Sequence, residues 1–357
     1  MEKRVCEEDN AGRLSTEMKG RIMGKGTGRG RLKKFVRASQ PIFMALLLFL
    51  QAGCGWKEDP EFSDPAIGTQ ENHEPRIFGA TYMQMNNPYF EILNNSIKEV
   101  VESNGDILIT RDPAKDQQKQ NEEIEEMIED GVSAIFLNTV DWKTVKPALL
   151  ACHEAGVPVF VMDTPVYDQE YTVSMIASDN YNAGVQCATD LMKKMRAAKI
   201  VVLSDESTGS IVSRIQGFKD TIAGHPEYKV VYEEQGMGEL EVSMDVMNEF
   251  LEKDIEFDVV MGGNDPSALG ALAALQANHM EKNVKIYGVD GSPDAKTMIR
   301  QGYMEATSAQ SPKQIGRTVA EKAYGYLNGE TIEKNIVIPV TLITKENLEQ
   351  YDINGWQ

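Results

Sequence analysis

The sequence predicts an α/β protein built from two doubly wound parallel-sheet domains. Three observations carry that reading. Short apolar runs without polar alternation, such as Val259-Val260-Met261, have the pattern of strands buried on both faces. Amphipathic helical runs alternate with them along the chain, which implies parallel sheets with right-handed crossovers. Eleven strand candidates are too many for one small sheet, and 357 residues suffice for two domains.

Taken in order, the strand candidates are Ile77–Tyr82, Ile107–Thr110, Ala134–Leu137, Pro158–Met162, Val173–Ile176 and Ile200–Leu203. Then come Val230–Glu233, Val259–Met261, Lys285–Val289, Glu305–Ala309 and Asn335–Val340. Helical runs between them include Tyr89–Val101, Gln117–Glu129, Lys143–Glu154, Ala183–Arg196 and Ser210–Ile222. Glu241–Leu251, Ser267–Ala277 and Pro312–Leu327 follow. Gln117–Glu129 shows the logic: Ile124, Met127 and Ile128 form one apolar stripe, five glutamates face water, and Gly131 stops the helix. After Met261, Gly262 and Gly263 end the strand, Asp265 suits a helix cap and Pro266 the first helical position. Asn264 is thereby left at a strand's carboxyl end, where open α/β sheets bind ligands.

Composition excludes several functions. A formal net charge of −19 gives nucleic-acid binding no support. Cys6, Cys54, Cys152 and Cys187 form no zinc or redox spacing; Cys152 and Cys187 read as buried thiols, a bridge between them being the alternative. Four scattered histidines make no metal-ligand pair, and neither a metal nor a cofactor is expected. The polar residues at strand ends include no base–nucleophile pair, so no enzyme is expected.

The N-terminal segment reads as an export signal. Six basic residues between Lys25 and Arg37 precede the apolar run Pro41–Leu50 and then Gln51-Ala52-Gly53-Cys54. That run is too short to span a bilayer comfortably. Met1–Gly20 is polar and partly acidic, so Met18 or Met23 offers a more ordinary start. Cleavage before Cys54 removes 11 Lys/Arg and 5 Asp/Glu and takes the net charge to −25. Residues 54–75, acidic and proline-containing, read as a tether.

Six polar residues repeat one placement, at the end of a strand before the next helix: Asn87 in Asn86-Asn87-Pro88-Tyr89-Phe90, Asn138, Asp163, Asn264, Asp290 and Gln310. One alone would be a helix cap. Six point to a shared cleft with hydroxyl-binding heads, and flat rings such as Tyr89 and Phe90 suit the C–H faces of a sugar.

These stretches, with Ala177-Ser178-Asp179-Asn180, Gly263-Asn264-Asp265, Tyr287–Asp294 and Ala309–Gly316, resemble the ribose-type family of periplasmic sugar-binding proteins, the type I solute-binding receptors of ABC importers. The likeness covers about Arg76 to Asn354. It implies hydrogen-bonding roles for Asn87, Asp163, Arg214, Asn264, Asp290 and Gln310, an aromatic wall of Tyr89 and Phe90, and a weaker match at Asn138. Ala52-Gly53-Cys54 is similar to a bacterial lipobox, although Gln51 stands where leucine is usual, and this implies lipidation of Cys54. The sequence departs from the ribose pattern at Thr164, where ribose binders carry a second arginine, and at Gln235–Leu240, which lacks an aromatic. Both departures reshape the pocket away from ribose. Trp142 reads either as an aromatic at the cleft mouth or as plain packing.

The resemblance implies a three-crossing hinge near Ser178–Asn180, Gln310–Ser311 and Ile338–Val340. Residues 76–179 plus 311–338 would form one domain and 180–310 plus 339–357 the other. The expected function is an extracytoplasmic, membrane-anchored, monomeric lipoprotein that captures a sugar or polyol and delivers it to an ABC permease. The alternative is a sensory receptor feeding a chemoreceptor or histidine kinase. A sugar-responsive repressor shares the core, but the export signal and the missing helix-turn-helix argue against it.

Overall fold

The computed structural model describes residues 74–357. The readings of an export signal, of a start at Met18 or Met23, of lipidation at Cys54 and of most of the tether fall outside the described residues.

The described chain begins β1 (Ile77–Thr81), α1 (Pro88–Ser103), β2 (Ile107–Arg111), α2 (Gln117–Glu129), β3 (Ala134–Leu137), α3 (Lys146–Ala155), β4 (Val159–Met162) and β5 (Ser174–Ser178). It continues α4 (Asn180–Lys194), β6 (Ala198–Ser204), α5 (Gly209–Ile222), β7 (Tyr228–Gln235), α6 (Leu240–Leu251), β8 (Val259–Gly262), α7 (Asp265–Ala277) and β9 (Lys285–Asp290). It closes with α8 (Pro293–Gln301), β10 (Ala306–Ala309), α9 (Pro312–Leu327), β11 (Asn335–Ile338) and β12 (Thr341–Thr344).

The strands form two six-stranded sheets, ordered β11-β5-β4-β3-β1-β2 and β12-β10-β9-β8-β6-β7. Among the described residues every pairing is parallel except β10 with β12. In each sheet the order of winding reverses once, between β1 and β3 and between β6 and β8, and such switch points open a crevice at the strands' carboxyl ends.

Alternate strand residues serve opposite faces, as the two-residue period requires. Phe78, Ala80 and Phe136 pack with α1 and α9, while Ile135 and Leu137 pack with α2 and α3. In the second lobe Ile200 and Val202 face α4 and α5, and Val201 and Leu203 face α6 and α7. Cys152 and Cys187 belong to two different cores as free, buried thiols, and burial pushes the Cys152 thiol up to about 12.

The chain passes between the sheets three times: after β5 into α4, after β10 into α9, and from β11 to β12. The last passage corrects the sequence expectation of one strand over Asn335–Val340. Pro339 has no N–H for a ladder, and beyond it Thr341–Thr344 pairs in the other sheet. α8 had no counterpart among the expected helices: it is only nine residues long, and Ala295, Met298 and Ile299 make a stripe of a single turn. Its signals lie at its ends: Ser292 caps Ala295, Pro293 opens the helix, and Gly302 closes it at φ 83°. α3 starts at Lys146, three residues later than expected, with Pro147 in its first turn.

α4 and α5 cross at glycines. A Cβ on Gly217 would lie 2.0 Å from the Tyr181 carbonyl oxygen, and one on Gly184 would lie 1.8 Å from that of Arg214. Neither neighbour is a side chain that can swing away, so any larger residue parts the helices. Gly217→Ala should lower the melting temperature by ~3–10 °C, measured by circular dichroism. An unchanged melting temperature would refute the close crossing.

Candidate ligand-binding cleft

The first lobe presents its polar residues from three strand ends. Asn87 follows β1 and caps α1, its Oδ1 accepting from the Tyr89 amide at 3.0 Å. The cap places Tyr89 and Phe90 in the first helical turn, buried and edge-to-face with ring centroids 5.4 Å apart. Asp163 follows β4 with φ 67°, a left-handed backbone that non-glycine residues seldom adopt. Its Oδ1 accepts from the Tyr89 hydroxyl at 2.7 Å, and its Oδ2 from Asn138 Nδ2 at 3.0 Å.

The second lobe repeats the plan. Asp290 ends β9, the strand that occupies in its sheet the place β4 has in the other, and it too has a positive φ, 142°. Asn264 follows β8 as Asn138 follows β3. Here the structure corrects the sequence reading of Asp265 as the cap of α7. Asn264 is the cap, accepting from the Ser267 amide at 2.9 Å, and Asp265 is turned inward to bond Thr307 and the Ser292 amide. Arg214, on the buried face of α5, donates to Asn180 Oδ1 (2.8 Å) and the Gly263 carbonyl (3.0 Å), and lies 3.5 Å from Asp290 Oδ1. Gln310 donates to the same Asp290 oxygen at 2.7 Å.

One cavity of about 40 Å³ gathers these groups, room for about three waters at ~10–15 Å³ each. Asn87, Tyr89, Phe90, Asp163, Arg214, Asn264, Asp290 and Gln310 all line it. Asn138 does not. It stands behind Asp163, accepting from the Met83 amide while donating to the carboxylate, which makes it a support for Asp163. Trp142 is likewise outside the lining. Its indole donates to the Glu206 carbonyl at 3.1 Å and its amide to that of Ser207 at 3.2 Å, a clasp between the lobes.

Several lining residues escaped the sequence reading. Asp205 follows β6 and obeys the same strand-end placement, so the signal was present. Lys115, Ser210 and Met237 carried none, because their roles depend on contacts across the cleft. Lys115 Nζ reaches Glu239 (2.7 Å) and the Met237 carbonyl (2.6 Å), and the Ser210 and Thr164 hydroxyls lie 2.9 Å apart. Trp356 was also missed. The buried Lys296 ammonium holds the C-terminal tail through the Asp352 and Gly355 carbonyls, and the tail lays Trp356 edge-on to Tyr89 at 5.5 Å. Burial pulls the Lys296 pKa down.

Burial also governs the carboxyls. It pushes Asp163 above the usual range, against the opposing pull of Arg214 and of its three hydrogen-bond donors. It pushes Asp290 up to about 8, with Arg214 opposing and Asp265 adding to the rise.

A profile of the periplasmic binding protein domain matches residues 78–331. The chain belongs to the periplasmic binding protein family. It is of the ribose type: the ribose import binding protein of Bacillus subtilis is 28% identical over 306 residues, 85% of this chain and 98% of that one. Among solved structures, an ABC transporter solute binding protein from Mycobacterium smegmatis with bound glycerol shares 26% identity at a TM-score of 0.73, over 78% of this chain and 96% of its own. The periplasmic binding protein of the arabinose ABC transporter from Shewanella sp. ANA-3, bound to L-arabinofuranose, shares 25% at 0.72, over 77% and 93%. These relatives are binding proteins of importers, not enzymes.

In this periplasmic binding protein the raised carboxyls make stability depend on pH. A carboxyl that holds its proton more tightly when folded than when unfolded favours the folded state at low pH, and that contribution is lost as pH rises from ~4 towards the folded value. For Asp290 the window runs from about 4 to about 8. Compared with Asp290→Asn, the wild type should therefore lose stability between pH 5 and 8, by at most ~1.4 kcal/mol per pH unit. Denaturant melts of both proteins across that range check it, and parallel curves would show that Asp290 is not proton-linked to folding.

Proposed function

We propose that this chain captures a small polyhydroxylated sugar between its two lobes, outside the cytoplasm, and hands it to an ABC permease. The observation that carries the reading is the meeting of Asp163 and Asp290, from equivalent strand ends of opposite lobes, on one cavity with Arg214 between polar and aromatic walls. Arabinofuranose and glycerol in the two solved relatives are polyhydroxylated solutes of the same kind.

Each residue has a role that its chemistry suits. Asp163 and Asp290 accept from sugar hydroxyls, Arg214 donates in a fixed fork, and Asn87, Asn264 and Gln310 offer planar amide heads. Tyr89 and Phe90 cover an apolar face of the ring. Asn138 keeps Asp163 oriented. Hydrogen bonds to charged groups contribute about 1.5–3 kcal/mol each, so three charged residues making two apiece supply about 9–18 kcal/mol, against the roughly 8 kcal/mol of micromolar binding plus ordering costs.

Residues 76–179 with 311–338, and 180–310 with 339–357, act in this reading as two rigid halves that close about the three chain passages. Closure on a sugar assembles the surface that a permease reads. Lipidation of Cys54 would hold the monomeric protein at the membrane on an acidic tether.

Isothermal calorimetry against a panel of pentoses, hexoses and polyols tests the capture step. Asp163→Ala and Asp290→Ala should each weaken the best ligand by roughly 30-fold or more while the fold persists by circular dichroism. Unchanged affinity in both variants would defeat the assignment. Small-angle scattering should register a smaller radius of gyration on adding that ligand, and Cys54→Ala should release the protein from the membrane fraction.

A further inference from the structure

The cavity contains more negative charge than its own cations neutralise. Three carboxyls line it, Asp163, Asp205 and Asp290, against two cations, Arg214 and Lys115; Asp290 holds its proton up to about 8, but Glu239 beside Lys115 keeps the negative charges in excess. Lys115 is committed to Glu239 and the Met237 carbonyl, and that pair cancels itself. Arg214 is committed to Asp290, Asn180 and the Gly263 carbonyl. Among the described residues, the remaining two carboxylates have only neutral donors. Asp163 accepts from Tyr89, Asn138 and Thr164. Asp205 accepts from the Ser207 amide (2.9 Å) and hydroxyl (2.6 Å) and from the Thr208 hydroxyl (2.7 Å). Both are buried, 4% and 2% exposed, and behind Asp290 the fully buried Asp265 adds a fourth carboxyl.

The closed lobes bring the two unbalanced walls together. Thr164, next to Asp163, shares a hydroxyl contact with Ser210, on the same loop-to-helix turn as Asp205. The Trp142 clasp on Glu206 and Ser207 fastens that turn to the first lobe. Burying an ion without a counter-charge is disfavoured by several kcal/mol, so the closed cleft calls for a positive charge from elsewhere.

We propose that the ligand supplies it: the cleft selects an amine-bearing sugar or cyclitol, with the ammonium set against Asp163 and Asp205. This rests on the sugar-capture reading and narrows it. An ammonium has three donors and no acceptor, which matches carboxylate oxygens that still have free lone pairs. A neutral sugar can donate hydroxyls there but leaves the charge uncancelled, and sugar acids or sugar phosphates are repelled.

Calorimetry at pH 7 with matched pairs tests this: glucose and glucosamine, galactose and galactosamine, an inositol and its monoamine, and glucuronate as the anionic control. At least one amine should bind 10-fold or more tightly than its parent, with glucuronate undetectable. In Asp163→Asn and Asp205→Asn, which keep the side-chain shape, the amine-to-parent affinity ratio should fall towards one. Melting temperatures verify that both variants fold, and Thr208→Val, which loosens Asp205 without removing its charge, should retain the preference. If every parent sugar binds as well as its amine, the inference fails while sugar capture stands. If no compound in the panel binds, sugar capture fails and this inference with it. An amine preference that persists in both Asn variants overturns the assignment to these two residues.

Discussion

A line of hydrogen bonds runs from one sheet to the other through the middle of the molecule. Asp163 accepts a hydrogen bond from the Tyr89 hydroxyl at 2.7 Å, that hydroxyl lies 3.4 Å from Gln310, Gln310 donates to Asp290, and Asp290 faces Arg214. All five side chains are nearly inaccessible to water. In such surroundings an unmatched polar group is strongly disfavoured, so each member is fixed by the next and the line tolerates little displacement. The two positive φ values, at Asp163 and Asp290, are the backbone's share of the same constraint. Each turns a strand end so that its carboxylate lines the shared cavity.

Topology explains why these residues meet. Parallel strands send all their carboxyl ends the same way, and the reversal of winding at β1/β3 and at β6/β8 leaves a gap at that edge of each sheet. With the two edges facing, one cavity collects the ends of β1 and β4 and those of β6, β8, β9 and β10. The repeated plan also explains why equivalent positions need not do equivalent work. Asn264 lines the cavity and caps α7, whereas Asn138, at the matching strand end, has its head taken up by Met83 and Asp163.

The sheet layers were legible because strands buried on both faces are uniformly apolar and the helices between them amphipathic. The cleft was legible because polar residues directly after such strands have few other places to go. What stayed hidden depends on distant partners. Lys115 gains its role only from Glu239 and Met237, Trp142 from Glu206, and Trp356 from a tail held by Lys296. The choice between Asn264 and Asp265 as helix cap was undecidable locally, since both side chains cap equally well; burial beside Thr307 and Ser292 decided it. The division of Asn335–Val340 was readable in retrospect, since Pro339 cannot continue a ladder.

Beyond the Tyr89–Gln310 approach and the packing of Trp356 on Tyr89, the described contacts that clasp the lobes are of two kinds. Lys115 with Glu239 is a partly exposed ion pair, and such pairs contribute about 0–1 kcal/mol. The Trp142 and Thr164–Ser210 contacts are neutral hydrogen bonds, each contributing a net ~0.5–1.5 kcal/mol. Against them stands the like-charge repulsion among carboxylates that closure brings to one small cavity. The two oppose each other, and closure in the proposed mechanism is set by their difference. A ligand that contacts both lobes then tips it, and one that also cancels negative charge tips it further, because it removes the repulsion as well as adding bonds. Selectivity and closure thus draw on the same charges.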